Sequence, residues 1–349
     1  MSAAATPVAA RRPAALDQVG PIVRRNAWSL GLLVLLAVLL GFTKFIQPTY
    51  GVAGVQGLGT SVLPLALAAA AQAVVVISGG IDLSIGALMA LTNVVAAVLM
   101  KDQPEQFGVV AVIGVLLLGV LLGATNGALV VVTRVPDIVV TLAMSFVWAG
   151  FALLVLGTPG GGSAKWLLDL VTGAFSHDEA IPVIGGALSV IGEWIPKATV
   201  VLIVVVAVIW VPLRRSRQGL ALYAIGSNPL AAFRSGVSVG RTKILAYGLM
   251  GLFAALAGLS LTASTGIGTP VPGPYTLLSV AAVVLGGVSL AGGRGGMFGP
   301  ILGVVILQLI RTDMTFLDID TNLATVVQGL ILIGVVMVGS LIQLRRARA

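Results

Sequence analysis

Ile77-Ser-Gly-Gly-Ile-Asp-Leu-Ser-Ile-Gly86 carries the one charge, Asp82, in an otherwise uncharged run from Phe45 to Met100. A run of that length and apolarity exceeds what the core of a soluble domain uses and reads as membrane-spanning sequence. An ionisable residue inside such a run is costly and marks a functional position. Gly79 and Gly80 beside it predict a helix break. Irregular backbone at membrane depth is stable only where protein or a water-filled cavity surrounds it. The stretch predicts a polytopic, all-α membrane protein with a broken helix near a path for something polar.

The rest of the composition agrees. Of 349 residues, 58% are hydrophobic and 9% charged, against roughly 25% charged in soluble domains. Glycine is abundant, at 45 residues, and small residues let transmembrane helices approach closely. The net charge of +8 is no nucleic-acid signal, because the basic residues lie in short loops and at the termini. Cysteine is absent and the single His177 sits in a polar loop. Disulfides, thiolate nucleophiles and thiolate metal sites are thereby excluded, the lone histidine argues against a His metal site, and no cofactor is expected. No Gly-Lys-Ser or Gly-Lys-Thr triplet occurs, so the phosphate-cradling loop of an ATPase is missing. Energy must come from a separate chain or from an ion gradient.

About ten spans are expected, at 27–46, 57–77, 84–100, 108–131, 138–157, 197–213, 243–263, 276–292, 296–311 and 323–343, since a span needs roughly 20 apolar residues. The apolar piece Ile181–Ile191 is too short to cross and reads as interfacial or re-entrant. The Ala/Pro/Arg-rich residues 1–26 are expected to be disordered, and the first apolar stretch reads as a start-transfer helix. With both termini cytoplasmic, only Lys44, Lys101, Lys165, Lys197 and Arg311 of the 20 basic residues fall outside, as the positive-inside rule asks. In this arrangement 158–196 is an external loop, 214–242 an internal one, and 344–349 a basic internal tail.

A short internal echo links Gly79-Gly-Ile-Asp-Leu83 with Gly286-Gly-Val-Ser-Leu290. Glycine-interrupted helices in corresponding halves point to a transport site, which makes Gly79, Gly80, Gly286 and Gly287 candidates for the translocation path or its gate. Asp82 can be read as capping the following helix, where the dipole favours an anion, as a gating or coupling group, or as a substrate contact. Ser84 shares the capping reading. Asn93, Asn126 and Gln72 are candidates for interhelical hydrogen bonds or for lining the path. The tryptophans read as aromatic-belt anchors. The glycine cluster Gly292–Gly296 reads as a tight turn.

The internal loop holds no acid, and Gly226-Ser-Asn-Pro229 reads as a turn into a short helix. Pro229 suits a first helical turn, and Ser227 or Asn228 can cap it. The helix Leu230–Arg234 ends before Gly236, a plausible left-handed C-cap. Such a helix has little to bury by itself. It suits docking into a groove on a soluble partner, while a solvated basic loop remains the plainer reading.

Leu222-Tyr-Ala-Ile-Gly-Ser-Asn-Pro-Leu-Ala-Ala-Phe-Arg-Ser-Gly-Val-Ser-Val239 resembles the signature loop of ribose-type ABC transporter permeases. The stretch Gly79–Gly86 is similar to that family's other recurrent motif. Gly123-Ala-Thr-Asn-Gly127, Val135-Pro-Asp-Ile-Val-Val-Thr141 and Leu285-Gly-Gly-Val-Ser-Leu290 with Gly292–Gly296 also fit. The likeness spans residues 45–343. It implies a permease domain over 27–343 in a bacterial inner membrane, paired with a second permease protomer. Its implied partners are a cytoplasmic ATPase subunit and a periplasmic sugar-binding protein, and its implied cargo is a monosaccharide. Gly226, Asn228, Pro229, Ala232, Arg234 and Gly236 would then form the coupling helix that receives ATPase motion. Branched-chain amino-acid permeases are more distant relations, so a non-sugar solute stays open. An ion-coupled secondary transporter would need several ionisable residues at mid-membrane, and only Asp82 is on offer.

Overall fold

The computed structural model describes residues 15–174, 192–271 and 273–320 and scattered positions between 323 and 337, with side chains from Trp28 onward. The helices are α1 (Ala15–Ile46), α2 (Val52–Ile77), α3 (Ile85–Met100), α4 (Phe107–Thr133), α5 (Asp137–Val155), α6 (Lys165–Val171), α7 (Lys197–Arg215), α8 (Arg217–Ser227), α9 (Pro229–Arg234), α10 (Val239–Thr265), α11 (Tyr275–Leu285) and α12 (Phe298–Phe316). Among the described residues the chain is otherwise loop, with two isolated bridges, Gly160 to Gly268 and Ala174 to Pro196.

Seven of these helices are long and apolar enough to cross a membrane, and α3 and α11 are shorter apolar helices. The expectation of about ten spans is thus corrected at two places. The expected spans 84–100 and 276–292 are helices of 16 and 11 residues, because the chain turns at 78–84 before the first and at 286–297 after the second. The tenth, 323–343, lies mostly outside the described residues, as do His177 and Ile181–Ile191. The first helix begins at Ala15, well before the expected start at 27, so residues 15–26 are helical rather than disordered.

Burial sorts the helices into layers. In α2, 89% of the most apolar window is buried, and in α10, 72%, against 11% in α1 and 17% in α5 and α7. These two central helices are apolar all round, and the outer ones turn large side chains such as Val34, Leu117, Phe146 and Val208 outward. That pattern suits a bundle whose solvent is hydrocarbon. Close approach supplies the packing. Gly119, Gly123 and Gly127 recur every four residues on α4, and a Cβ on Gly123 would stand 2.9 Å from the Gly251 Cα on α10.

The bundle has one end carrying α9 and an opposite end carrying α6. Helix α2 runs toward the α9 end, and the chain then turns back through 78–84 before α3 begins. Helix α3 runs parallel to α10: Met89 lies against Gly258, and Asn93 Nδ2 donates to Thr262 Oγ1 at 2.7 Å. Its first turn is therefore level with the middle of α10. Helix α10 runs toward the α6 end, where Gly268 N–H donates to the Gly160 carbonyl at 2.7 Å, and the chain plunges back through 266–274 to α11. Gly86 N–H donates to Thr276 Oγ1 at 2.9 Å, which puts the start of α11 at the depth of the start of α3.

At 1.5 Å per residue, α3 and α11 are only about 24 and 16 Å long. The two units α2–α3 and α10–α11 share one plan in opposite directions: a long helix, a re-entrant segment, and a half-helix that begins at mid-depth. This is the discontinuous-helix architecture of transporter sites. It also revises the sequence echo, because the counterpart of the Gly79-Gly80 break is the segment 266–274, and Gly286-Gly287 instead closes α11.

Candidate functional site

The site is built at the α9 end, where short helices meet both broken units. Ser216 caps α8, its hydroxyl oxygen accepting from Gly219 N–H at 3.1 Å. Asn228 caps α9, its Oδ1 accepting from Ala231 N–H at 2.9 Å, with Pro229 in the first turn. The cap contributes about 1 kcal/mol. The helix stops at Gly236, whose φ of +83° is a conformation glycine adopts without Cβ strain. Gly236 N–H donates to the Phe233 carbonyl and Val237 N–H to the Ala232 carbonyl, both at 3.0 Å. That paired closure is a Schellman motif.

Helix α9 turns Ala232 inward and exposes Leu230 at 59% and Phe233 at 67%, with exposed Arg234 beside them. Leu230 and Phe233 are thus two large apolar side chains three residues apart on the exposed side of this short helix. The expected 214–242 loop is largely helical, since Arg217–Ser227 is a full helix whose apolar stretch is too short to have read as a span.

Helix α8 ends against the breaks themselves. Gly293 N–H donates to the Ile77 carbonyl at 2.9 Å, tying the end of α2 to the turn between α11 and α12. Gly226 fills the gap beside this bond: a Cβ there would strike the Ile77 carbonyl and stand 2.6 Å from Gly293 N. A Cβ on Gly292 would stand 2.6 Å from the Gly226 carbonyl and 2.9 Å from Gly79 Cα. Tyr223 on α8 adds a hydrogen bond from its hydroxyl to the Gly295 carbonyl at 2.8 Å; burial raises its phenol pKa. Gly79, Gly226, Gly292 and Gly293 thus form one backbone-on-backbone joint, and α9 follows it directly in the chain. Gly286 and Gly287 are not part of it. Gly286 packs on Gly299 and Pro300, and Gly287 on the Trp28 indole.

Gly80 faces a second cluster. Lys243 Nζ pairs with Asp137 Oδ1 at 2.7 Å, and Tyr247 donates from its hydroxyl to Asp137 Oδ2 at 2.9 Å. A Cβ on Gly80 would strike that carboxylate oxygen. Asp137 opens α5 and Lys243 stands on the first turns of α10, so this pair fixes both helices against the break. Asp137 was missed from the sequence. Its signal was there, as the sole acid between Glu105 and Asp169.

Asp82 lies at 0% exposure. Its Oδ1 accepts from Ser84 N–H and from the Ser84 hydroxyl, each at 2.6 Å. Asn126 Nδ2 donates to Ser84 Oγ at 2.7 Å, and Trp148 Nε1 donates to Asn126 Oδ1 at 3.1 Å. Every donor in the chain Trp148–Asn126–Ser84–Asp82 therefore points the same way. Ser84 does not cap α3 as expected, because its hydroxyl donates to Asp82 instead of accepting from the helix. Trp148 is no belt anchor, being 7% exposed. Asp82 Oδ2 finds no hydrogen bond among the described residues, a cost of about 1–3 kcal/mol for a buried polar atom.

Asn93 is interhelical glue. It donates to Thr262 and accepts from Thr269 N–H at 2.6 Å, pinning the re-entrant segment. Gln72 is fully buried, with both amide atoms unpaired among the described residues. No group of three His, Cys, Asp or Glu able to hold a metal occurs among the described residues.

The comparisons with known proteins bear on this arrangement. A family model described as the permease component of the branched-chain amino acid transport system matches residues 55–336. The chain belongs to this permease family. The permease is 34% identical over 275 residues to the ribose import permease protein RbsC of Escherichia coli strain K12, covering 78% of this chain and 81% of the relative. It is 31% identical over 268 residues to the D-allose transport system permease protein AlsC of the same organism, covering 76% and 77%. It is 33% identical over 268 residues to the fructose import permease protein FrcC of Rhizobium meliloti, covering 76% and 71%. No solved structure matches the permease. It is a multi-pass membrane protein and a transport component rather than an enzyme.

Proposed function

We propose that the permease is the membrane subunit of an ATP-driven ABC importer and forms the translocation path for a monosaccharide. The observation that carries this reading is the α8–α9 unit. A capped six-residue helix presents Leu230, Phe233 and Arg234 outward, and the helix before it is seated by glycine backbone on the ends of both broken units. A push on α9 by a soluble partner reaches the breaks with no intervening side chain to absorb it. The permease has no phosphate loop of its own, so the partner is a cytoplasmic ATPase subunit docked on α9.

The α9 end is then cytoplasmic, together with both termini, and the membrane is a bacterial inner membrane. The α6 end faces the periplasm, where a sugar-binding protein delivers cargo onto the 158–196 and 312–322 segments. A second permease protomer, identical or related, completes the pore. The identity of the ribose, allose and fructose permeases named above supports the cargo class.

The test is a mild-detergent pull-down of the permease from native membranes, with mass spectrometry and an ATP hydrolysis assay. A stoichiometric ATPase whose recovery falls on Phe233→Asp substitution is the expected result. A permease that purifies alone across several detergents, with no ATPase activity, refutes the reading.

A further inference from the structure

A cavity of about 530 Å³ opens at the α6 end between α2, α10, α11 and α12, within the ~300–1,000 Å³ range of small-molecule sites. Its polar lining comes from Gln56, Thr60 and Ser61 on α2, Ser264 on α10, Tyr275 at the start of α11 and Gln308 on α12. Along α2 the walls run from Ala53 to Pro64, about 16 Å of helix. Tyr275 opens the half-helix that starts at mid-depth, so the cavity leads from the surface to the meeting point of the two half-helices.

Its chemistry is selective. No charged residue lines it, although a hydrated vestibule tolerates charge. The Thr60, Ser61 and Ser264 hydroxyls donate to carbonyls of their own helices, which leaves their oxygens free to accept. The Gln308 amide and the Tyr275 hydroxyl make no hydrogen bond to the protein among the described residues. A buried-edge amide offers two donors and an acceptor, and a phenol one of each. The lining side chains therefore present hydrogen-bond donors and acceptors and carry no charge of their own.

We infer that this vestibule is the entry subsite of the permease for an uncharged, polyhydroxylated solute of monosaccharide size, with Gln308 and Tyr275 making the polar contacts. The inference rests on the importer reading for the direction of entry. A zwitterionic amino acid would find no carboxylate on these walls for its ammonium, while the nearest cation is Arg311, close enough to act on Tyr275.

The chain has no cysteine, so single thiols report cleanly. Cells expressing the permease with its ATPase and binding protein are assayed for uptake of labelled D-ribose, D-allose and D-fructose. Gln308→Cys and Ser61→Cys are treated from outside with a membrane-impermeant thiol reagent, and Gln308→Ala and Tyr275→Phe are measured untreated. Thiol modification is expected to block uptake, the transported sugar is expected to slow modification, and each untreated variant is expected to lose about two- to tenfold in uptake, the value of one hydrogen bond. ATPase recovery should stay unchanged. Modification without effect on uptake, in variants that still transport, overturns the vestibule and leaves the importer intact. A wild-type assembly that retains its ATPase but takes up leucine and no sugar overturns both the solute class and the sugar reading.

Discussion

Replacing Gly226 by alanine tests the backbone joint directly. The added Cβ would strike the Ile77 carbonyl and sit 2.6 Å from Gly293 N. Both neighbours are backbone, so neither can swing aside as a side-chain tip would. They must retreat by roughly 1 Å to reach ordinary contact, which breaks the Gly293 to Ile77 hydrogen bond of 2.9 Å. The lost bond costs about 0.5–1.5 kcal/mol and the overpacking about 1–3 kcal/mol, together about 1.5–4.5 kcal/mol. Gly150→Ala is the control. Nothing lies within 4 Å of a Cβ there, and alanine gains up to about 1 kcal/mol in a helix interior. The assay is thermal unfolding of the purified permease in detergent, beside sugar uptake and ATPase recovery in membranes. Gly226→Ala should unfold earlier and lose uptake while still binding the ATPase, since α9 is untouched. Unfolding and uptake equal to the Gly150→Ala control would refute the claim that motion passes through a rigid joint.

Four more outcomes follow from the same geometry. Leu230→Asp and Phe233→Asp, on side chains 59% and 67% exposed, should leave stability within about 0.5 kcal/mol yet abolish ATPase co-purification. A double-mutant cycle on Asp137→Asn and Lys243→Met should give a coupling of about 0.5–3 kcal/mol, because the pair is only 14–23% exposed; zero coupling would show that it does not hold α5 to α10. Asn126→Leu strips partners from both Trp148 and Ser84 and should cost about 1–3 kcal/mol, read by thermal unfolding. Gln72→Leu should stabilise the permease by about 1–3 kcal/mol, as it removes an amide with no described partner; destabilisation would mean that the full assembly supplies one.

The long spans were legible because charge-free runs of about 20 residues have few other readings. The cap at Asn228 and the stop at Gly236 were legible too, since both use local chemistry within four residues. The two half-helices were not. An apolar run shows that a segment lies in the membrane, and does not show where within the depth its helix begins. The contacts that decide this, Gly86 with Thr276 and Gly258 with Met89, are separated by well over a hundred residues. The same holds for the joint. Gly79 and the Gly292 cluster were both visible, but the echo paired Gly79 with Gly286, since five matching letters carry no distance. Trp148 looked like a belt residue by its position along α5, and only the bundle reveals that it faces Asn126.

The hydrogen bond between Ile77 and Gly293 has a consequence for how the chain is made. The carbonyl that ends α2 is synthesised more than two hundred residues before the N–H that satisfies it. The Trp28 indole likewise waits for the Leu285 carbonyl, and Gly86 for Thr276. During insertion the first broken helix must therefore stand with open backbone valences in or near the bilayer until the last third of the chain arrives. A fragment ending before Thr276 lacks the partners that close them in the full chain. The late-arriving glycine turn and the start of α11 thus complete hydrogen bonds that the first broken unit cannot make by itself.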